Sequence, residues 1–321
     1  MSRTSVVTLT PAPAIDRVYV VDGLQTGHVN RARHIEAHIA GNGVNLARDL
    51  RAHGNPVCAV VPLSFEDAAD LTGEDEIFRV VRVPRAIRVN TVIIGADGVT
   101  TNINQAAHEL TLPDWTALHA AVAQEKERLS ADWVVVGGTL PAGSADDRID
   151  PAELFAAPRL KGARLCLDSP GAVVADWLRQ GALPDLISPN VHELEELQGR
   201  PIGTLGQAVD AASGIVDQGV GAVLVSLGHQ GAVIVTPTLR LWARTEPAHV
   251  VNTTGAGDAA LAGLMAMWRG EDESRALQDA MTRAMRWGRA AVGRIRPTIA
   301  PEDVEDVPVR LDAPPRSLPL A

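Results

Sequence analysis

Residues 252–264 read NTTGAGDAALAGL, and the reading of this stretch decides the fold. Three small residues, Gly255, Ala256 and Gly257, stand directly before Asp258 and a long apolar run. From Ala259 to Trp268 the run holds no proline and a single glycine, a pattern that predicts a buried helix. Asp258 then falls in the first turn, with the glycines as its approach. An acid in that place can simply complement the helix dipole. Alternatively, N–H groups at a helix start, freed of Cβ bulk, form an anion site. The acid beside it then accepts a proton from a hydroxyl that attacks a phosphate.

Working outward, short apolar runs alternate with helical patterns from residue 132 onward. Strands are predicted at 133–137, 164–168, 185–188, 222–227 and 231–236, and helices at 145–157, 172–180, 191–198, 204–218, 258–269 and 273–293. That alternation implies βαβ units and a mostly parallel sheet covered on both faces, an α/β architecture. Upstream, 5–10 and 56–63 read as further strands of that sheet, flanking a helix near 43–53. Four segments, 17–22, 31–39, 88–94 and 99–104, alternate polar and apolar residues as strands with one wet face do. They predict a small separate sheet inserted into the main domain. The tail from Ile295 is rich in proline and acids and is read as extended.

Composition narrows the functional classes. The chain has 321 residues, 46% of them hydrophobic, which is ample for a folded core. A net charge of −10 argues against binding nucleic acid through a basic surface. Cys58 and Cys166 make no disulfide framework and point to a reducing compartment. The N-terminus lacks a basic region followed by an apolar core, so no signal peptide is expected. The apolar run after Asp258 is too short to span a membrane. A cytoplasmic protein is the expectation.

Three further motifs carry chemistry. AGNGVNLARDL (40–50) is a second glycine loop opening a helix, and with Asp16 in PAID it makes one face of a cleft. ISPNVHELEEL (187–197) leaves a strand and enters a helix with Asn190 and Glu193 three residues apart. These are either a helix cap with dipole-favoured acids or polar groups near a hydrated Mg²⁺. VSLGHQGAV (225–233) is a strand, a glycine turn and a strand, which a plain hairpin explains unless a ligand approaches the backbone. His34 and His38 share one face of an alternating strand and are read as solvated rather than metal-binding.

Taken in order, these motifs resemble the ribokinase-like (PfkB) carbohydrate kinases over about residues 5–293. The likeness is closest to the hexose-phosphate branch of 1-phosphofructokinase and tagatose-6-phosphate kinase. NTTGAGDAALAG fits the family's C-terminal signature, and PAIDRVYVVDGLQTGHVNR, RVNTVII, TTNIN, GGTLPAG (137–143) and SPNVHELEEL follow with matching order. The resemblance implies a three-layer α/β/α domain over 1–296. It also implies a small β-sheet lid from about 17–39 and 88–104 that pairs subunits into a homodimer, and a Pro-rich tail at 297–321. By the same resemblance, Asp258 is the base, and Gly255, Ala256 and Gly257 offer N–H groups to the transferred phosphate of ATP. Asn190 and Glu193 organise Mg²⁺ through water, while Ser226, Gly228 and Gly231 line the nucleotide site. Asp16, Gly41, Asn42, Asn45, Arg88 and Thr139 fall where a sugar phosphate is held, with Arg31 an extra phosphate partner. The chain departs from the family at Asn42 and Ser188, where lysines are usual, and at Ala12, where the branch commonly has asparagine. A kinase for a phosphorylated ketohexose is the leading expectation. A kinase for an unphosphorylated sugar or nucleoside, and a weakly catalytic paralogue that senses a sugar phosphate, are the alternatives.

Overall fold

The computed structural model describes residues 3–69, 71, 76–96, 98–141, 162–246, 248–270 and 274–320. The helix expected at 145–157 and the last two residues of GGTLPAG lie outside these.

The main sheet is built from strands with two apolar faces. β1 (Val6–Leu9), β4 (Val57–Leu63), β8 (Trp133–Gly137) and β12 (Ala232–Val235) are buried along their whole length. Successive side chains point to opposite faces, and each face has its own core. Val7, Leu9, Val134, Val136, Leu165 and Leu167 join one apolar cluster; Val6, Trp133, Val135 and Cys166 join another. Helices α3 (Leu112–Leu129), α4 (Gly171–Arg179), α5 (Val191–Gln198) and α6 (Leu205–Asp217) cover the first face. Helices α1 (Asn42–Ala52), α7 (Ala256–Met265) and α8 (Ser274–Val292) cover the second. The result is the three-layer ribokinase-like arrangement that the sequence motifs imply.

The remaining strands are β5 (Phe78–Arg82), β9 (Arg164–Asp168), β10 (Leu186–Ile187), β11 (Ala222–Ser226), β13 (Arg240–Thr245) and β14 (Val309–Asp312). Ten strands run in the order β14-β13-β12-β11-β10-β9-β8-β1-β4-β5. Pairings from β5 to β11 are parallel, and those of β11 through β14 antiparallel. Four elements lie outside the predicted ones: α3, β5, β13 and the short helix α2 (Phe65–Ala69). The tail is extended only in part. Residues Pro301–Asp303 form a 3₁₀ turn, and β14 takes the sheet's edge beside β13.

A second sheet has the order β3-β2-β6-β7, from β2 (Ala14–Val21), β3 (His34–Ala40), β6 (Arg88–Gly95) and β7 (Thr100–Asn104). Its inner face buries Val18, Val92 and Ile94 against Ile295. On its outer face Ile35 and Ile103 are 59% and 61% exposed.

Helices α4 and α5 approach too closely for any side chain at Gly171, where a Cβ would lie 2.2 Å from the Glu193 carbonyl oxygen. Gly171→Ala should therefore destabilise the protein by about 1–3 kcal/mol, as overpacking does. Urea unfolding checks this, and an unchanged midpoint would contradict the close approach.

Candidate active site

Because β1, β8, β9, β10 and β11 run parallel, their carboxyl ends line one edge of the main sheet. Such edges are where open α/β sheets bind ligands. Asp168 ends β9 opposite Gly137 of β8, and Asn190, just beyond β10, bridges to Ser226 at the end of β11.

Helix α1 reaches this edge because glycines let it. Gly41 has φ +141°, and a Cβ on it would lie 2.5 Å from Thr10 Cγ2. A Cβ on Gly43 would lie 2.6 Å from Thr10 Oγ1, and one on Gly137 3.0 Å from the Gly43 nitrogen. Both turns of AGNG are thus occupied by the ends of β1 and β8. Two α1 side chains then point at acids from distant parts of the chain. Asn42 Nδ2 donates to Asp168 Oδ2 at 3.0 Å, and Asn45 Nδ2 donates to Asp258 Oδ2 at 2.8 Å.

Helix α7 begins at Ala256 with Gly255 as its N-cap residue at φ +81°. A side chain on Gly255 would meet Pro297 at 2.3 Å, whereas a Cβ on Gly257 would meet nothing within 4 Å. The first turn therefore opens on one side into free space, with its N–H groups lacking intrahelical partners. Asp258 sits in that turn, followed by the wholly buried run Ala259–Met265.

The small sheet supplies the facing wall. Cross-strand register places His38, Asp16, Asn90 and Asn104 in one row across its four strands. Asp16 is buried and accepts from Asn90 Nδ2 at 3.0 Å. Arg88 donates to the carbonyls of Ala12 at 3.1 Å and Gln105 at 3.3 Å. His34 is exposed, as expected of a solvated histidine, but His38 is half-buried beside Asp16.

The acids repel one another. Burial raises Asp258 to about 6, opposed by the Asn45 hydrogen bond and reinforced by Asp16 and Glu193. Burial pushes Asp168 up to about 8, with the charge of Asp258 adding to it and the Asn42 amide opposing it. Asp16 and Glu193 are raised as well, each chiefly by burial. Asp16 and Glu193 both raise Asp258, and Asp258 and Glu193 raise Asp168, so the four carboxyls share one electrostatic environment.

Asn190 and Glu193 are first of all a helix cap. Asn190 Oδ1 accepts from Glu193 N at 3.0 Å, and Glu193 Oε2 accepts from Asn190 N at 2.9 Å. Among the described residues no three His, Cys, Asp or Glu side chains gather as a metal cluster. The fit is to a cation that keeps its water, since Mg²⁺ is commonly held by one or two carboxylates plus substrate phosphates. Glu193 Oε1 remains outside the cap. His192 is exposed, 3.3 Å from Glu195.

Gly231 is needed by the backbone itself, at φ +89° with the Ala243 oxygen 2.0 Å from a built Cβ. Gly228, at φ +59°, faces open space. Thr139 lies in the turn after β8, half-buried, and Arg31 is exposed between β2 and β3. Of the acids in the cluster, Asp168 was missed. Its sequence signal was present: RLCLD is a buried strand that ends on a charge.

The family model for pfkB family carbohydrate kinases matches residues 4–303. The chain is 32% identical over 304 residues to a 1-phosphofructokinase of Rhodobacter capsulatus, covering 93% of both chains. It is 33% identical over 271 residues to a 1-phosphofructokinase of Xanthomonas campestris pv. campestris, covering 81% of this chain and 83% of that one. Among solved structures it is similar to phosphofructokinase-2 from Escherichia coli in complex with substrates and products. That match has a TM-score of 0.80 at 22% identity, over 94% of this chain and 97% of the other, and it supports the fold alone. No helix among the described residues is long and apolar enough to cross a membrane. The chain belongs to the pfkB family of carbohydrate kinases, and its enzyme class is phosphotransferase with an alcohol group as acceptor.

Proposed function

We propose that the chain transfers the γ-phosphate of ATP to a hydroxyl of a phosphorylated ketohexose, with Asp258 as the base. The observation that carries this reading is the first turn of α7. There a carboxylate held by Asn45 stands beside N–H groups that open into the cleft. Phosphoryl transfer depends on positioning and charge neutralisation more than on covalent chemistry. Asp258 takes the proton of the attacking hydroxyl, while the N–H groups at Gly255, Ala256 and Gly257 receive the transferred phosphate. Asp16 orients sugar hydroxyls, and Gly41, Asn42, Asn45 and Thr139 line the sugar's other side. Arg88, with Arg31 as an auxiliary, pairs with the sugar phosphate, which suits a guanidinium fork. The nucleotide lies along Ser226, Gly228 and Gly231.

Mg²⁺, when bound, would neutralise charge on the ATP phosphates, and Asn190 and Glu193 would hold it through water. The phosphorylated ketohexose is supported by the relatives, which are named 1-phosphofructokinases. Asn42 favours a second reading, a sugar-phosphate sensor with little turnover. Its amide is engaged by Asp168 and supplies no positive charge where the family commonly has a lysine.

Asp258→Asn should leave nucleotide binding intact and lower kcat roughly 10²–10⁴-fold, the usual contribution of a positioned base. Because Asp258 must be ionised to accept a proton, kcat/KM should fall as pH drops through about 6. A variant that keeps more than about a tenth of the wild-type kcat, or an acid limb at the ordinary value of 3.8, would contradict the assignment.

Arg88→Ala should raise KM for the sugar phosphate by roughly 10–150-fold, the range for a charge-assisted contact, and leave KM for ATP nearly unchanged. Equal effects on both substrates would place Arg88 elsewhere. The exposed apolar outer face of the small sheet, with Ile35 and Ile103, is read as the surface on which two copies pair. Light scattering should give the mass of a dimer or larger assembly, lowered by Ile35→Asp; a wild-type monomer at micromolar concentration would count against the pairing.

A further inference from the structure

Behind the cleft lies an acid that none of these roles uses. Asp49 is 0% exposed on the inner face of α1, one turn beyond Asn45. Its Oδ1 accepts the backbone N–H of Ile299 at 2.8 Å, and its Oδ2 is buried without a hydrogen-bond partner. Asn45 shows the complementary gap. Its Nδ2 is committed to Asp258, because a carboxylate only accepts, and its Oδ1 is buried with no donor. Residues four apart on a helix are neighbours on one face, so two buried oxygens without partners share one face of α1, where one proton would serve both.

We infer that Asp49 is a positioning residue carrying a proton on Oδ2, which it donates to Asn45 Oδ1, so that the Asn45 amide is locked with its N–H₂ toward Asp258. The inference rests on the reading of Asp258 as the base. Its surroundings agree. The charged groups facing Asp49 are Asp258 from α7 and Arg48 from its own helix. The segment that packs against it presents the backbone N–H of Ile299. His53, whose Nδ1 lies 2.8 Å from the Asp49 carbonyl, is stacked on Trp287 of α8 and lies near Arg283, Glu302 and Asp303. Burial, with the charge of Asp258 adding to it, raises the Asp49 carboxyl well above 3.8; the Ile299 N–H and Arg48 oppose the shift without cancelling it.

The same contact ties Asn45 to a strap. Ile299 belongs to the segment whose Ile295 carbonyl accepts from Asn252 Nδ2 at 2.8 Å and whose Pro297 packs on Gly255. Its Arg296 pairs with Glu36 of β3 at 3.0 Å. Asp49 thus joins the base, the anion loop and the small sheet through one buried carboxyl.

The test compares Asp49→Asn with Asp49→Leu in the full chain. Asparagine keeps an acceptor for Ile299 and offers N–H to Asn45, so kcat should stay within about 2-fold with the acid limb of kcat/KM unmoved. Leucine removes the donor, and kcat should fall roughly 2–10-fold, the range for one net hydrogen bond, with KM for ATP little changed. Two readouts are independent of catalysis. The infrared difference between wild type and Asp49→Asn at neutral pH should contain the C=O stretch of a protonated carboxyl. Since the folded state binds a proton that the unfolded state has released, wild-type stability falls as pH rises above 3.8. The stability advantage of Asp49→Asn should therefore grow with pH. A downward shift of the acid limb in Asp49→Asn, or absence of the carboxyl band, would show a charged Asp49 and overturn the inference. So would full kcat in a folded Asp49→Leu when Asp258→Asn has lost turnover. If Asp258 is not the base, the infrared and stability results still stand while the kinetic ones fail.

Discussion

Helix α7 can start only where the chain turns through Gly255, and the geometry of the cleft follows from that one constraint. Pro297 occupies the space a side chain there would need, at 2.3 Å from a built Cβ. With Gly255 in the left-handed region, the next residues enter the helix at once, and the seven residues Ala259–Met265 are buried without exception. Moving the start by one residue would rotate that apolar run out of its core and turn Asp258 away from Asn45. The position of the acid is thus set by hydrophobic burial further along the helix, and the hydrogen bond to Asn45 refines it.

The cleft so formed gathers four acids. Asp16, Asp168, Asp258 and Glu193 are all held above their ordinary range, each chiefly by burial. Neutral amides, Asn42, Asn45 and Asn90, are their principal partners. Amides orient carboxylates without neutralising them, so on the proposed reading affinity for a polyanionic substrate would come from Mg²⁺, arginine and backbone N–H groups. Asn42 and Ser188, in place of the family's lysines, sharpen that dependence.

Much of this was legible in the sequence because it is local. The glycine loop before Asp258 and the buried strands of the main sheet can be read from short windows, and the four strands of the small sheet from their alternation. What escaped depends on distant partners. β5 and β14 are edge strands whose alternating exposure gives no continuous apolar run. Helix α3 had its start written in Thr111, Pro113 and Asp114, a capping box, yet five of its eighteen residues are buried and its apolar stripe is faint. Asp49 owes its burial to Ile299, 250 residues away, and Asp168 meets Asn42 across 126 residues. No local pattern announces such pairs. The Asn190–Glu193 spacing shows the opposite difficulty: it is a complete helix cap, so its reading as a cation site rests on the acids that surround it.

On the proposed reading, this cleft phosphorylates a sugar already bearing a phosphate. ADP release, measured with Mg²⁺–ATP against matched pairs of free and phosphorylated ketohexoses, tests it most directly. Turnover with a ketohexose phosphate and a much lower kcat/KM with the corresponding free sugar are the expected results. Binding of a sugar phosphate without ADP release from any acceptor, or equal turnover of the free and phosphorylated forms, would contradict it.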